Sequence, residues 1–310
     1  MTGKDEAFPA SERSSGVAGD GNRLNDGTLC GNASPLQHPP ISITTGAFYV
    51  YPLKSALRLI ADAGFDAVEF VAGPEGWARG DAYVLEQARA HGLRILTVHP
   101  PILPFPGWTD IPAFLPRMVR AALALEAQVL CIHPVDAPTP DCELSGRFVR
   151  ALESALRSLE ATGTRLALEN LAHFGPRDAR LWWHDPAHLS ALADEMGLPL
   201  VLDTAHADST PLGLQGVYEM FRGRIANVHL SDARAKDESQ PKWLQTLARH
   251  HQIPGEGILP LEQFLAGLLT DGYTGPLTLE LSPTPLAIWS PREARKRLAN
   301  AREWVEKAVG

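Results

Sequence analysis

The sequence predicts a single-domain (β/α)8 barrel, an α/β fold in which eight parallel strands close around an axis and helices cover the outside. Three observations predict it. From Ile41 to the C-terminus, short apolar runs alternate with longer segments of helical period, the pattern produced by parallel strands joined through helical crossovers. The runs number eight, and most are nearly continuous in β-branched residues and Leu, as strands buried on both faces must be. No G-x-G-x-x-G follows the first run, where an open doubly wound sheet would carry its phosphate turn.

The eight runs are ISITTG (41–46), AVEFV (67–71), RILTV (94–98), VLCI (129–132), RLALE (165–169), LVLD (200–203), IANVH (225–229) and LTLEL (277–281). Between the first two, Leu53, Leu57, Ile60 and Ala61 share one stripe of a helix over Pro52 to Ala63, and Gly64 stands where a left-handed C-cap is wanted. Near the C-terminus, Ser290-Pro291-Arg292-Glu293 combines a capping hydroxyl, a proline at the first helical position and a glutamate at the third. This opens a helix whose apolar stripe is Leu298, Ala301, Val305 and Ala308. Residues 1–40 differ in kind, being rich in Gly, Ser, Asn, Asp and Pro with almost no apolar periodicity. Such a segment buries too little surface to offset its ordering entropy, so it reads as a disordered tail ahead of a barrel over 41–310.

With 310 residues, 45% of them hydrophobic, the chain can bury a substantial core. A formal net charge of −8 and a pI near 5.8 give no bulk attraction to nucleic acid or to an anionic membrane. The loops 72–80, 99–109 and 133–144 hold a single arginine, Arg79, so they offer few phosphate contacts and nucleic acid is not an expected partner. No apolar run approaches the roughly 18 residues of a membrane-spanning helix. Cys30, Cys131 and Cys142 form an odd and sparse set without C-x-x-C and with no secretory leader ahead of them, which predicts reduced thiols and a cytoplasmic location.

In parallel barrels the active site is assembled at the C-terminal strand ends. Read in order, these carry Glu69, His99, His133, Glu169 with Asn170, Asp203 with His206, His229 with Asp232, and Glu280. Carboxylates and imidazoles converging on one mouth repel or desolvate badly unless a cation organises them. Glu169, Asp203, His229 and Glu280, on strands five to eight, are therefore the candidate metal ligands. The stretch VLDTAH (201–206) ends a core strand on Asp203 and His206 for the same reason. By contrast, His250 is expected to be an exposed loop residue, and His173 and His184 to lie at the surface. Trp77, Phe105 and Trp108, in the loops after strands two and three, either pack locally or present faces on which a ring could stack.

Five segments, ALENLAHF (167–174), VLDTAHAD (201–208), NVHLSDAR (227–234), IPGEG (253–257) and GPLTLEL (275–281), resemble the xylose isomerase-like barrel superfamily. That superfamily holds sugar and sugar-phosphate isomerases and epimerases together with abasic-site nucleases of the endonuclease IV type. The resemblance covers roughly Ile41 to Gly310. It implies a divalent cation, Mn²⁺, Mg²⁺, Co²⁺ or Zn²⁺, on Glu169, Asp203, His229 and Glu280, since mixed carboxylate and imidazole ligands discriminate weakly. It implies a small sugar or sugar phosphate as substrate, isomerised or epimerised by proton transfer next to a carbonyl through a metal-stabilised enediolate, with Glu169 and Glu280 as the catalytic pair. His206 resembles the family's ligand to a substrate oxygen, Arg234 could hold a hydroxyl or phosphate, Trp108 could stack on the sugar, and family habit implies a homo-oligomer. The alternative is zinc-dependent phosphodiester cleavage as in the nuclease branch. Its additional ligands match His99 and His133, which share a bridging Glu169, and His206 and His251. Arg249 stands where the nuclease pattern has an aspartate, and a cation there would repel a metal already short of one anionic ligand.

Overall fold

Eight short strands pair in parallel, each with its neighbour in sequence, and the last returns to the first to close a barrel. They are β1 (Ile41–Thr44), β2 (Ala67–Val71), β3 (Arg94–His99), β4 (Val129–Ile132), β5 (Arg165–Glu169), β6 (Leu200–Asp203), β7 (Ile225–Leu230) and β8 (Leu277–Leu279). A computed structural model of the chain describes residues 38–102, 110–235 and 249–310. The tail expected over 1–40 falls outside these residues up to position 37. Pairing begins at its edge, where the Leu277 amide donates to the Pro40 carbonyl at 2.8 Å. Among the described residues, no helix is long and apolar enough to cross a membrane.

Four strand ends differ from the sequence pattern: β3 and β7 each run one residue further, to His99 and Leu230, and β1 and β8 stop short. β1 stops at Thr44, whose hydroxyl accepts from the Gly46 amide at 3.2 Å and starts a 3-10 turn over Thr45–Phe48. β8 stops at Leu279, so Glu280 is the first residue beyond the strand and is aimed by the loop that follows.

The helices form for the reasons their periodicity suggests. Leu53–Asp62 buries Leu53, Ala56, Leu57, Leu59 and Ile60, and it ends where Gly64 takes φ of 95°. Pro291–Val309 starts with the Ser290 hydroxyl accepting from the Glu293 amide at 3.4 Å and buries Ala294, Leu298, Ala301, Val305 and Val309. Val309, not Ala308, takes the last fully buried place, because a 3.6-residue period drifts by one position over this length.

Large side chains, among them Phe48, Phe148, Phe221 and Phe264, fill the space between the sheet and the helices. The barrel interior is filled differently, by the small cluster Val129, Cys131, Ala167, Val201 and Ala226. Beside it runs a polar chain, Ser42 Oγ to Thr278 Oγ1 at 2.8 Å and Thr278 Oγ1 to Asn227 Oδ1 at 2.9 Å. Successive side chains of a strand alternate between faces, so Glu169 and Asp203 stand one step above Ala167 and Val201 on the inner face. A small apolar floor thus lies under a charged upper layer.

Asp232 was expected among the converging strand-end groups, and the structure corrects this. Its carboxylate accepts four backbone amides, Ala233 at 2.8 Å and Gly255, Gly257 and Leu259 at 3.0 Å each. Its own backbone pairs with Gln252 in both directions at 2.9 Å. IPGEG is the part of the loop tied down in this way. Gly255 has φ of +84° and a Cβ there would lie 2.4 Å from Trp304 Nε1, while a Cβ on Gly257 would lie 2.3 Å from Asp232 Oδ1. Asp232 therefore anchors the segment that carries His251 to the mouth.

Gly255→Ala should lower stability by roughly 2 kcal/mol, from left-handed strain plus displacement of Trp304. The check is a fall in the urea midpoint at unchanged slope; an unmoved midpoint contradicts this account of the loop.

Candidate metal centre at the mouth of the barrel

The strand ends bring Glu169, Asp203, His229 and Glu280 together, with one ligand atom of each within 4.8 Å of every other. Glu169, Asp203 and His229 are 0% exposed and the Glu280 side chain 13%. His229 Nε2 lies 2.9 Å from Glu69 Oε2. A carboxylate only accepts, so Nε2 carries a hydrogen, and Nδ1 is the nitrogen left to a ligand once the ring gives up its second proton. That Nδ1 faces Glu280 Oε2 at 2.8 Å and Glu169 Oε1 at 3.2 Å. These contacts are close but lack hydrogen-bond geometry: His229 Nδ1, Glu169 Oε1, Asp203 Oδ2 and Glu280 Oε2 are all buried without a hydrogen-bond partner. Four orphaned donor atoms, one from each of the four residues, fit a shared cation better than they fit one another.

A second group adjoins the first through Glu169. His99 Nε2, His133 Nε2 and Glu169 Oε2 are separated by 3.1, 3.3 and 3.1 Å. The His99 ring is fixed by Nδ1 donating to the Pro100 carbonyl at 2.6 Å, which leaves Nε2 bare. Asp203, His206 and His251 form a third group. His206 donates from Nδ1 to the Asn170 carbonyl at 3.0 Å, so its Nε2 is the atom open to a ligand. Asn170 also holds Asp203 in place, its amide nitrogen donating to the Asp203 carbonyl at 3.1 Å and its oxygen accepting the Asp203 amide at 2.8 Å. His251 reaches the group with φ of +55°, a left-handed backbone that costs free energy and is retained at functional sites when the surroundings impose it. Here the surroundings are the segment tied down by Asp232.

Burial opposes charge throughout, yet the groups compensate one another. Burial works against an imidazolium at His99, His206 and His229, but the nearby carboxylates outweigh it and raise all three, His206 to about 9. Burial likewise works against Glu169 and Glu280, but the charge of His229 holds both below the ordinary carboxylate range. At Asp203 burial prevails over His206 and His251, and its carboxyl is raised. Protons on the imidazoles thus supply the positive charge that a metal would otherwise bring, and metal binding would release them.

The remaining expectations fare variously. Arg234 is exposed and takes no part in the three groups, its backbone amide donating to the Arg249 carbonyl at 2.9 Å. Arg249 itself pairs with Asp208 at 2.9 Å, so its charge is partly answered. Trp108 and Phe105 lie outside the described residues. Trp77 packs on Phe114 at 5.2 Å between ring centres, with Arg117 over its face at 4.1 Å, which is the local-packing alternative. His250 is not exposed but 4% accessible. Burial pushes its pKa down to about 3, because the tied-down segment turns it inward against Phe174, 5.3 Å away. His184 is likewise buried, with Nε2 on Asp136 at 2.9 Å and its carbonyl accepting from His173 at 2.9 Å. Sequence reasoning missed the roles of Glu69 and Asn170. For Glu69 the signal was a carboxylate in the middle of a fully apolar run.

The family profile described as xylose isomerase-like TIM barrel matches residues 57–308. An uncharacterized protein of Mycobacterium tuberculosis is 25% identical over 280 residues, 83% of this chain and 94% of that protein. A 3-dehydroshikimate dehydratase of Pseudomonas aeruginosa is 32% identical over 100 residues, 32% of this chain and 15% of that protein. Among solved structures, a D-tagatose 3-epimerase-like protein superposes with a TM-score of 0.65 at 20% identity, covering 87% of this chain and 98% of the other. D-Allulose 3-epimerase from Methylomonas sp., solved with D-allulose, gives 0.63 at 18% identity, covering 88% and 98%. At these identities the structural likeness is one of fold.

Removing the charge that orients His229 should weaken metal binding without unfolding the barrel. Glu69→Gln is expected to lower Mn²⁺ affinity by roughly 10- to 100-fold in calorimetric titration; an affinity equal to wild type would show that His229 does not depend on Glu69.

Proposed function

The chain belongs to the xylose isomerase-like TIM-barrel family, and from that premise we propose that it is a divalent-metal-dependent isomerase or epimerase. Its substrate would be a small sugar, sugar phosphate or related polyol, and its chemistry proton transfer beside a carbonyl. The observation that carries this reading is the set of four orphaned buried atoms on Glu169, Asp203, His229 and Glu280. The epimerases among its structural neighbours support it. A divalent ion on these residues would supply Lewis acidity toward a carbonyl oxygen and acidify the adjacent C–H.

The side chains do the rest. Glu169 and Glu280 come from β5 and from the end of β8, on different sides of the barrel, and both carboxyls are held below the ordinary range. Both are ionised at neutral pH, so either can accept the proton from carbon and, as the carboxylic acid it then becomes, return it. Glu280, which keeps 13% exposure, is the one open to the mouth. His206 Nε2 would hold a substrate oxygen, a role supported by the hydrogen bond from its Nδ1 to the Asn170 carbonyl, which fixes the ring. Phe174 stands edge-on to His206 at 6.5 Å and places an apolar ring beside the imidazole.

A second reading, phosphodiester cleavage by several ions, draws support from the three ligand groups that share Glu169 and Asp203 and from the pairing of Arg249 with Asp208. One experiment separates the two. The Mn²⁺-loaded protein is incubated with a panel of ketoses in D₂O and, in parallel, with an abasic duplex. Loss of the C–H proton signal next to the carbonyl, without nicking, is the expected result. Glu169→Gln and Glu280→Gln should each slow exchange by roughly 10²- to 10⁴-fold. Nicking that chelation abolishes, with no exchange into any ketose, would replace the first reading by the second.

A further inference from the structure

Cys131 lies on the inner face of β4, 0% exposed, in the small floor beneath the charged layer. Its neighbours in that floor, Val129, Ala167, Val201 and Ala226, are apolar, so a position needed only for volume would suit Ala or Val. Its Sγ instead lies 2.9 Å from Glu169 Oε2, the oxygen that His99 and His133 already approach at 3.3 and 3.1 Å. A thiol is a weak hydrogen-bond donor and adds little to a carboxylate so well supplied. As a thiolate it is a strong metal ligand.

We propose that Cys131 supplies a sulfur ligand to the cation site that His99, His133 and Glu169 would form, making it softer than the four-ligand site and suited to Zn²⁺ or Co²⁺. The inference rests on the reading above that Glu169 belongs to a metal centre. Ligand atoms of His99, Cys131 and Glu169 lie within 4.8 Å of one another. The near-equilateral triangle of His99 Nε2, His133 Nε2 and Glu169 Oε2 can hold one ion at the roughly 2.1 Å that a zinc–nitrogen bond requires. The two oxygens of Glu169 divide between the sites: Oε1 faces His229 at 3.2 Å, and Oε2 faces the Cys131 side at 2.9 Å. One set offers carboxylates and an imidazole; the other adds sulfur, and soft donors favour zinc and cobalt over magnesium or manganese. On binding, the S–H bond breaks, its electron pair forms the sulfur–metal bond, the proton leaves to solvent, and no group changes oxidation state.

The test is an anaerobic titration of the metal-stripped full-length protein with Co²⁺, followed in the visible and the near ultraviolet. Visible ligand-field bands together with a near-ultraviolet sulfur-to-cobalt charge-transfer band are expected. Cys131→Ser should lose the charge-transfer band and keep visible bands, whereas Glu280→Gln should keep the charge-transfer band. Visible bands without a sulfur band in wild type would overturn the proposal and leave the four-ligand centre standing, as would a sulfur band that persists in Cys131→Ser. If Co²⁺ produced no bands at all, both the sulfur site and the metal reading of the mouth would fall. The wild-type spectrum decides even where the variant does not fold.

Discussion

Buried negative charge must be answered by positive charge, and this constraint organises the mouth of the barrel. Glu69, Glu169 and Asp203 have no solvent exposure and Glu280 has little. An isolated carboxylate so placed would cost several kcal/mol, and the usual responses are protonation, an ion pair or a metal. Here five imidazoles, His99 on β3, His229 on β7, and His133, His206 and His251 in the segments after β4, β6 and β7, surround the carboxylates, and where their pKa values shift, at His99, His206 and His229, they shift upward. The arrangement has more coordinating atoms than its internal hydrogen bonds use, since four of them stay orphaned.

Much of the remaining structure is explicable as support for that arrangement. The floor beneath it is built of small side chains, and the helix-facing core holds the large ones. Asn170 grips the backbone of Asp203 from both sides, and Glu69 fixes which nitrogen of His229 faces the centre. Asp232 acts at longer range, gathering amides of the IPGEG segment so that His251 arrives in a left-handed conformation. Each of these is a polar residue whose hydrogen bonds orient one of the converging side chains.

The strand plan and the convergence of Glu169, Asp203, His229 and Glu280 were legible in the sequence because strand alternation and the barrel's strand-end rule translate spacing directly into position. What spacing does not encode is how a loop folds back. His250 and Asp232 are misplaced by spacing for one reason, the bridge that pairs Asp232 with Gln252 and leaves His250 buried beside it. His184 was taken for a surface residue because its partner Asp136 lies 48 positions away in another loop. Glu69 was noticed, but its function depends on His229, 160 residues distant. Cys131 stood out in the sequence only as one of three sparse thiols, since the strand order sets β4 beside β5 but does not encode the approach of its Sγ to Glu169 Oε2.

The central claim is that Glu169, Asp203, His229 and Glu280 share one divalent ion. Anomalous diffraction at the manganese edge, from crystals grown with Mn²⁺, tests it most directly. The account predicts a strong peak within bonding distance of one atom from each of the four. A peak bound elsewhere, or clear density for all four side chains with no peak among them, would contradict it.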